Sequence, residues 1–140
     1  MLTGSILLVA DDDDELDFIK QAAAELQIER PVEYFRNGNE LINYLRATPN
    51  SPFLIICDLK LPGESAFELK ERMNNDEELN YKTVPFIFWS NSASETEIQK
   101  AYDLPAQGFF PKPDKFRELC ETFETILKYW SKSRHPKDVA

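Results

Sequence analysis

The sequence predicts a doubly wound α/β domain, with five strands and five helices alternating around one parallel sheet. Three observations carry that expectation. Residues 6–10 (ILLVA) and 53–57 (FLIIC) are continuously apolar and each run stops at an aspartate, as strands buried on both faces do. Between the strand candidates, apolar residues recur at helical spacing. With 42% hydrophobic and 29% charged residues, 140 residues suffice for one buried core and leave no room for a second folded domain. The domain is expected over residues 1–130, with 131–140 a frayed tail.

Taken in order, the first strand runs into acids, of which Asp12 to Asp14 cap a helix and suit its N-terminal dipole. Leu16, Ile19, Ala23 and Leu26 form its apolar stripe, which ends before Pro31. Residues 32–35 are a short strand. Asn37-Gly38-Asn39 then turns the chain into a helix carrying Leu41, Ile42 and Leu45, closed by Pro49 and Pro52. The third strand, 53–57, stops at Asp58, and Pro62-Gly63 marks a turn. A helix over about 65–74 buries Phe67, Leu69 and Met73, and the polar stretch 75–82 reads as loop. Residues 84–89 make the fourth strand, with Pro85 tolerated near its start. Ser94 caps a weak helix with only Ile98, Ala101 and Tyr102 to bury. After a strand at 107–110, Lys112-Pro113 leads into a terminal helix with a wide stripe of Phe116, Leu119, Cys120, Phe123, Ile126, Leu127 and Trp130.

Sixteen Lys and Arg against twenty-five Asp and Glu leave a formal charge of −9, unsuited to tracking a phosphate backbone, so direct nucleic-acid binding is not expected. No signal peptide or membrane-length apolar run is present, and Cys57 and Cys120 lack a CxxC partner, which fits a cytoplasmic protein with buried thiols. Cys57 adjoins Asp58 but should face the other side of its strand. Trp89, Phe109, Tyr129 and Trp130 read as core and helix-packing residues. The single histidine, His135, excludes a multi-histidine metal site and makes a Ser-His-Asp triad a poor reading.

In such a sheet, ligands sit beyond the carboxyl ends of the strands. Those ends carry Asp11 and Asp12, Asp58, Ser90 and Lys112. Without a GxxxxGK[ST] loop this is a poor nucleotide pocket, but it suits Mg²⁺ and a phosphoryl group. Asp58, ionised at pH 7 with an ordinary pKa of about 3.9, is the candidate nucleophile; Lys112 would pair with it and then with phosphoryl oxygens. Asp13, Asp14 and Glu15 read as a helix N-terminus.

The stretches LLVADDDD, CDLKLPG, FIFWSN and FFPKP, in this order and spacing, resemble a response-regulator receiver domain over about residues 4–130. The resemblance implies a flavodoxin-like (βα)5 fold with strand order 2-1-3-4-5. It makes Asp58 the phosphoacceptor, gives Ser90 and Lys112 the family's hydroxyl and lysine roles, and has Lys60 supply a backbone carbonyl to Mg²⁺. Asp11 and Asp12 would be the family's acid pair, a register chosen because it turns Leu16 and Ile19 inward and leaves Glu15 out; Asp12 would bind directly and Asp11 partly through water. The Lys112-Pro113 bond would be cis. Ser65-Ala66 stands where the family often has Asp-Gly, and Phe109 where it often has a switch tyrosine. Phosphorylation would draw Ser90 inward and vacate space for Phe109.

The function so implied is that of a stand-alone phosphoacceptor rather than an enzyme in the ordinary sense. A histidine kinase or histidine phosphotransfer protein would donate, and a downstream protein would read the surface of the fourth helix, fifth strand and fifth helix. Homodimerisation through the terminal helix is left open. Two alternatives stand beside it: a receiver fold binding its partner regardless of phosphorylation, and a Mg²⁺-dependent phosphatase-like enzyme, disfavoured because Lys60 stands where a second acid-base aspartate would be needed.

Overall fold

A computed structural model describes residues 4–79, 84–104 and 106–133. The elements alternate throughout: β1 (Ile6–Val9), α1 (Asp13–Glu25), β2 (Val32–Phe35), α2 (Gly38–Ala47), β3 (Leu54–Asp58), α3 (Ala66–Asn75), β4 (Phe86–Ser90), α4 (Glu95–Asp103), β5 (Gly108–Pro111) and α5 (Phe116–Lys132). The strands form one sheet in the order β2-β1-β3-β4-β5, every pairing parallel. This is the expected doubly wound, flavodoxin-like topology.

Strand alternation sorts the core into two layers. Leu7, Val9, Ile55, Cys57, Phe86 and Phe88 pack against α2, α3 and α4 through Leu41, Leu45, Phe67, Leu69 and Ala101. Ile6, Leu8, Ile56, Ile87 and Trp89 pack against α1 and α5 through Ile19, Ala22, Leu119, Phe123 and Ile126. Burying each such large side chain is worth about 1.5–3 kcal/mol, so the three central strands, buried at every position, anchor the sheet. The same alternation puts Cys57 on the α2–α4 side and Asp58 on the α1/α5 side.

Helix starts follow the sequence. Asp12 caps α1, Asn37 caps α2, and Ser65 and Ser94 cap α3 and α4 through reciprocal capping boxes with Glu68 and Glu97. The Ser65-Ala66 departure therefore leaves a well-formed helix start.

Several boundaries differ from expectation. Pro85 lies just outside β4, where its carbonyl still accepts from the Ile55 N–H at 3.0 Å; its missing N–H delays the strand by two residues. Asp58 is the last residue of β3, paired in register with Trp89. Leu79, expected in a polar loop, is buried in the α2–α4 layer. Residues 80–83 of that loop, and His135, lie outside the described residues. The terminal helix continues through Ser131 to Lys132, into the expected frayed tail, and the Ser133 N–H closes its last turn on the Tyr129 carbonyl at 2.9 Å. Tyr129 is not in the core: it is 63% exposed and rests edge-on against Trp130. On α4 only Ala101 is buried, while Ile98 and Tyr102 are exposed, because that short helix offers the sheet a narrow face.

Candidate functional site

The carboxyl ends of β1, β3, β4 and β5 open into one cleft of about 230 Å³ lined by Asp11, Asp12, Glu15, Asp58, Lys60, Ser90 and Lys112, among others. All the site residues expected from sequence except Phe109 meet there. Phe109 is half-buried on β5, its ring 6.2 Å from that of Phe88.

Asp58 is placed by its pairing with Trp89 and by two backbone bonds of the next residue, Leu59. The Leu59 N–H donates to the Trp89 carbonyl at 2.9 Å, and the Ala66 N–H reaches back to the Leu59 carbonyl at 3.0 Å, closing the loop that contains Lys60. Lys112 Nζ donates to Asp58 Oδ1 at 2.9 Å. It also donates to Glu15 Oε1 at 2.5 Å, which sequence reasoning did not foresee. The objection to an unpaired buried glutamate was physically sound, but Glu15 is paired, with a lysine 97 positions away. A local signal existed: Glu15 stands one turn before the buried Ile19, on the helix face that α1 turns toward the sheet.

The electrostatics of this trio are unusual. Asp58 is not an ordinary carboxylate: its pKa is pushed up to about 7, first by burial and then by the Glu15 negative charge, with Lys112 opposing both. Asp58 therefore holds its proton more tightly than an ordinary carboxylate. For Lys112, burial by itself disfavours the ammonium, but Asp58 and Glu15 outweigh it and hold the amine above its ordinary range.

The remaining groups are placed as follows. Asp12 Oδ1 accepts from the N–H groups of Asp14 at 2.9 Å and Glu15 at 3.4 Å, so one oxygen of this acid is committed to capping α1. Ser90 Oγ donates to the Ser92 carbonyl at 2.6 Å and faces the β4–α4 loop rather than Asp58. Asn91 Nδ2 bridges to Asp114 Oδ1 at 2.9 Å, tying that loop to the segment after β5; this rim contact was also not anticipated. No cis peptide bond occurs among the described residues, so Lys112-Pro113 is trans, contrary to expectation. The Lys112 N–H already donates to the Ser90 carbonyl at 2.9 Å, which aims the side chain without the less favoured isomer.

Among the described residues no three acidic, histidine or cysteine side chains converge on one metal-binding point. The donor chemistry nevertheless suits a hard cation: the cleft offers the carboxylates of Asp11 and Asp58, the second oxygen of Asp12 and the backbone at Lys60. No described helix is long and apolar enough to cross a membrane.

Comparison with known proteins agrees with this architecture. The chain is 28% identical over 129 residues to the probable methanogenesis regulatory protein FilR2 of Methanothrix harundinacea, covering 89% of this chain and 82% of that protein. It is 30% identical over 125 residues to the regulatory protein VanRB of Enterococcus faecalis, covering 88% of this chain and 52% of that one. The phosphorylated cyanobacterial phytochrome response regulator RcpA superposes with a TM-score of 0.83 at 28% identity, over 96% of this chain and 99% of that one. Residues 6–124 match the response regulator receiver domain, and since that match spans most of the sequence, the chain belongs to this family.

Proposed function

We propose that this receiver domain accepts a phosphoryl group on Asp58 from a histidine kinase or histidine phosphotransfer protein and signals by protein–protein contact in the cytoplasm. The observation that carries the reading is the Asp58 carboxylate, buried at the end of β3 and bonded to the Lys112 ammonium, in a cleft also lined by Asp11, Lys60 and Ser90.

In the transfer, an Asp58 oxygen forms a bond to phosphorus as the donor's P–N bond breaks, and the electron pair stays on the leaving imidazole nitrogen. Asp11, Asp12, Asp58 and the Lys60 carbonyl would hold Mg²⁺, Asp12 through the oxygen that capping leaves free. When bound, Mg²⁺ supplies charge neutralisation at the phosphoryl oxygens and favours the ionised form of Asp58. Lys112 then pairs with a phosphoryl oxygen.

For Ser90 to reach that group, its bond to the Ser92 carbonyl must break, which pulls the start of the β4–α4 loop inward. Phe109, half-buried beside Phe88, would follow into the vacated space. The thinly anchored α4, with β5 and α5, is the surface a partner would read.

Intact-mass spectrometry with acetyl phosphate tests the reading. A Mg²⁺-dependent adduct of about 80 daltons, absent in Asp58→Asn, is expected. A folded protein that gains no adduct at any Mg²⁺ concentration would instead favour a phosphorylation-independent interaction module.

A further inference from the structure

The Lys112 ammonium has three N–H donors, and two of them are engaged by carboxylates on different elements, Asp58 at 2.9 Å and Glu15 at 2.5 Å. The side chains of Lys112, Glu15 and Asp58 are only 11%, 17% and 8% exposed, so water screens these charges weakly. The Glu15 backbone is fixed as well, in the first turn of α1, with its N–H on the Asp12 cap. The resting site thus holds one cation between two acids.

A phosphoryl group on Asp58 would put more negative charge where one carboxylate stood, beside an ammonium that Glu15 still shares. Either Lys112 leaves Glu15 for the phosphoryl oxygens, stranding a poorly hydrated carboxylate, or it serves both less well. In both cases Glu15 favours the unphosphorylated site. Its charge should also attract a cation into the cleft, so the two effects of Glu15 oppose each other and can be separated by experiment.

We propose that Glu15 is a positioning residue that restrains phosphoryl uptake by holding Lys112 in the resting site. This rests on the reading of Asp58 as phosphoacceptor. Glu15→Gln keeps the shape and an acceptor oxygen but removes the charge. Glu15→Asp keeps the charge but is one methylene too short for the present contact with Lys112.

The experiment follows adduct formation by intact mass with acetyl phosphate over a Mg²⁺ series for wild type and both variants. At saturating Mg²⁺, Glu15→Gln is expected to be modified about three- to tenfold faster than wild type, with a half-saturating Mg²⁺ concentration raised roughly severalfold. Glu15→Asp is expected to be faster as well, with its Mg²⁺ requirement near that of wild type. A modified wild type with both variants at or below its rate overturns the inference alone. A wild type that is never modified overturns the reading of Asp58, and the inference falls with it.

Discussion

The Lys112 backbone N–H donates to the Ser90 carbonyl at 2.9 Å, so the lysine that bridges the acids is set by the strand that carries the hydroxyl. The two side chains nevertheless serve different surroundings: Lys112 turns to Asp58 and Glu15, whereas Ser90 bonds into the β4–α4 loop. Removing the ammonium leaves Asp58 and Glu15 together in a poorly screened site, where Asp58 must take up a proton or face Glu15 as a like charge. Lys112→Ala is therefore expected to lower stability by about 1–3 kcal/mol at pH 7. Asp58→Asn, which removes one of the two competing acids, should stay within about 1 kcal/mol of wild type. Urea denaturation of the three proteins checks both values, and a Lys112→Ala variant as stable as wild type would refute the bridging role.

The two thiols should differ from free cysteine in reactivity. Cys57 is fully buried, and burial, with the nearby Asp58 and Glu64 charges, pushes its thiol well above the ordinary range. Cys120 lies on α5 at the edge of the core, 9% exposed, and is also raised, chiefly by burial. A thiol reagent added to native protein near pH 7.5 is expected to label Cys120 slowly and to reach Cys57 only after denaturant is added. Fast labelling of Cys57 in native buffer would contradict its placement.

At the start of α2, Gly38 has no room for a side chain. A Cβ there would lie 2.7 Å from Leu69 Cδ1 and 2.8 Å from Glu64 Oε1. Glu64 is not free to withdraw without cost, since Arg72 Nη2 holds it at 2.8 Å while Arg72 Nη1 bonds Asn39 at 2.9 Å. Leu69 is a fully buried core residue. Gly38→Ala is expected to destabilise the fold by about 1–3 kcal/mol despite the higher helix propensity of alanine. Thermal denaturation decides it, and an unchanged or higher midpoint would mean that the α2–α3 contact yields easily.

The sequence made the sheet and most of the site legible for one reason: residues 6–10 and 53–57 are apolar without alternation, so their strands had to be covered on both faces and their ends had to meet at one rim. Asp11, Asp58, Ser90 and Lys112 followed from that topology. Glu15 did not, because its environment is made by a lysine remote in sequence, and a single helix pattern cannot show a partner brought in by another strand. The Lys112-Pro113 bond, expected to be cis from the resemblance, is trans. Pro85 and Leu79 were misplaced by local reading: the strand boundary depends on which N–H the ladder needs, and a lone leucine among polar residues gives no periodicity.

Lys70 supplies a pH test away from the cleft. It is 4% exposed on α3, with Nζ 5.1 Å from the Phe86 ring centroid, and burial holds its pKa below the ordinary 10.5. Between the lowered folded value and 10.5 the unfolded chain binds more protons than the folded one, so this group makes stability rise with pH across that window. Below the window the buried ammonium carries its full desolvation cost, offset in part by about 0.5–1 kcal/mol from the aromatic face. Lys70→Met fills similar volume without the charge and is expected to be about 0.5–1 kcal/mol more stable than wild type at pH 7. Its advantage should shrink towards pH 10, as wild-type Lys70 loses its proton. Urea denaturation of both proteins at pH 7, 8.5 and 10 measures this difference, in which the titration of groups common to the two largely cancels. A gap that widened with pH would show that the Lys70 ammonium is better solvated in the folded state than in the unfolded chain, reversing the sign argued from its burial.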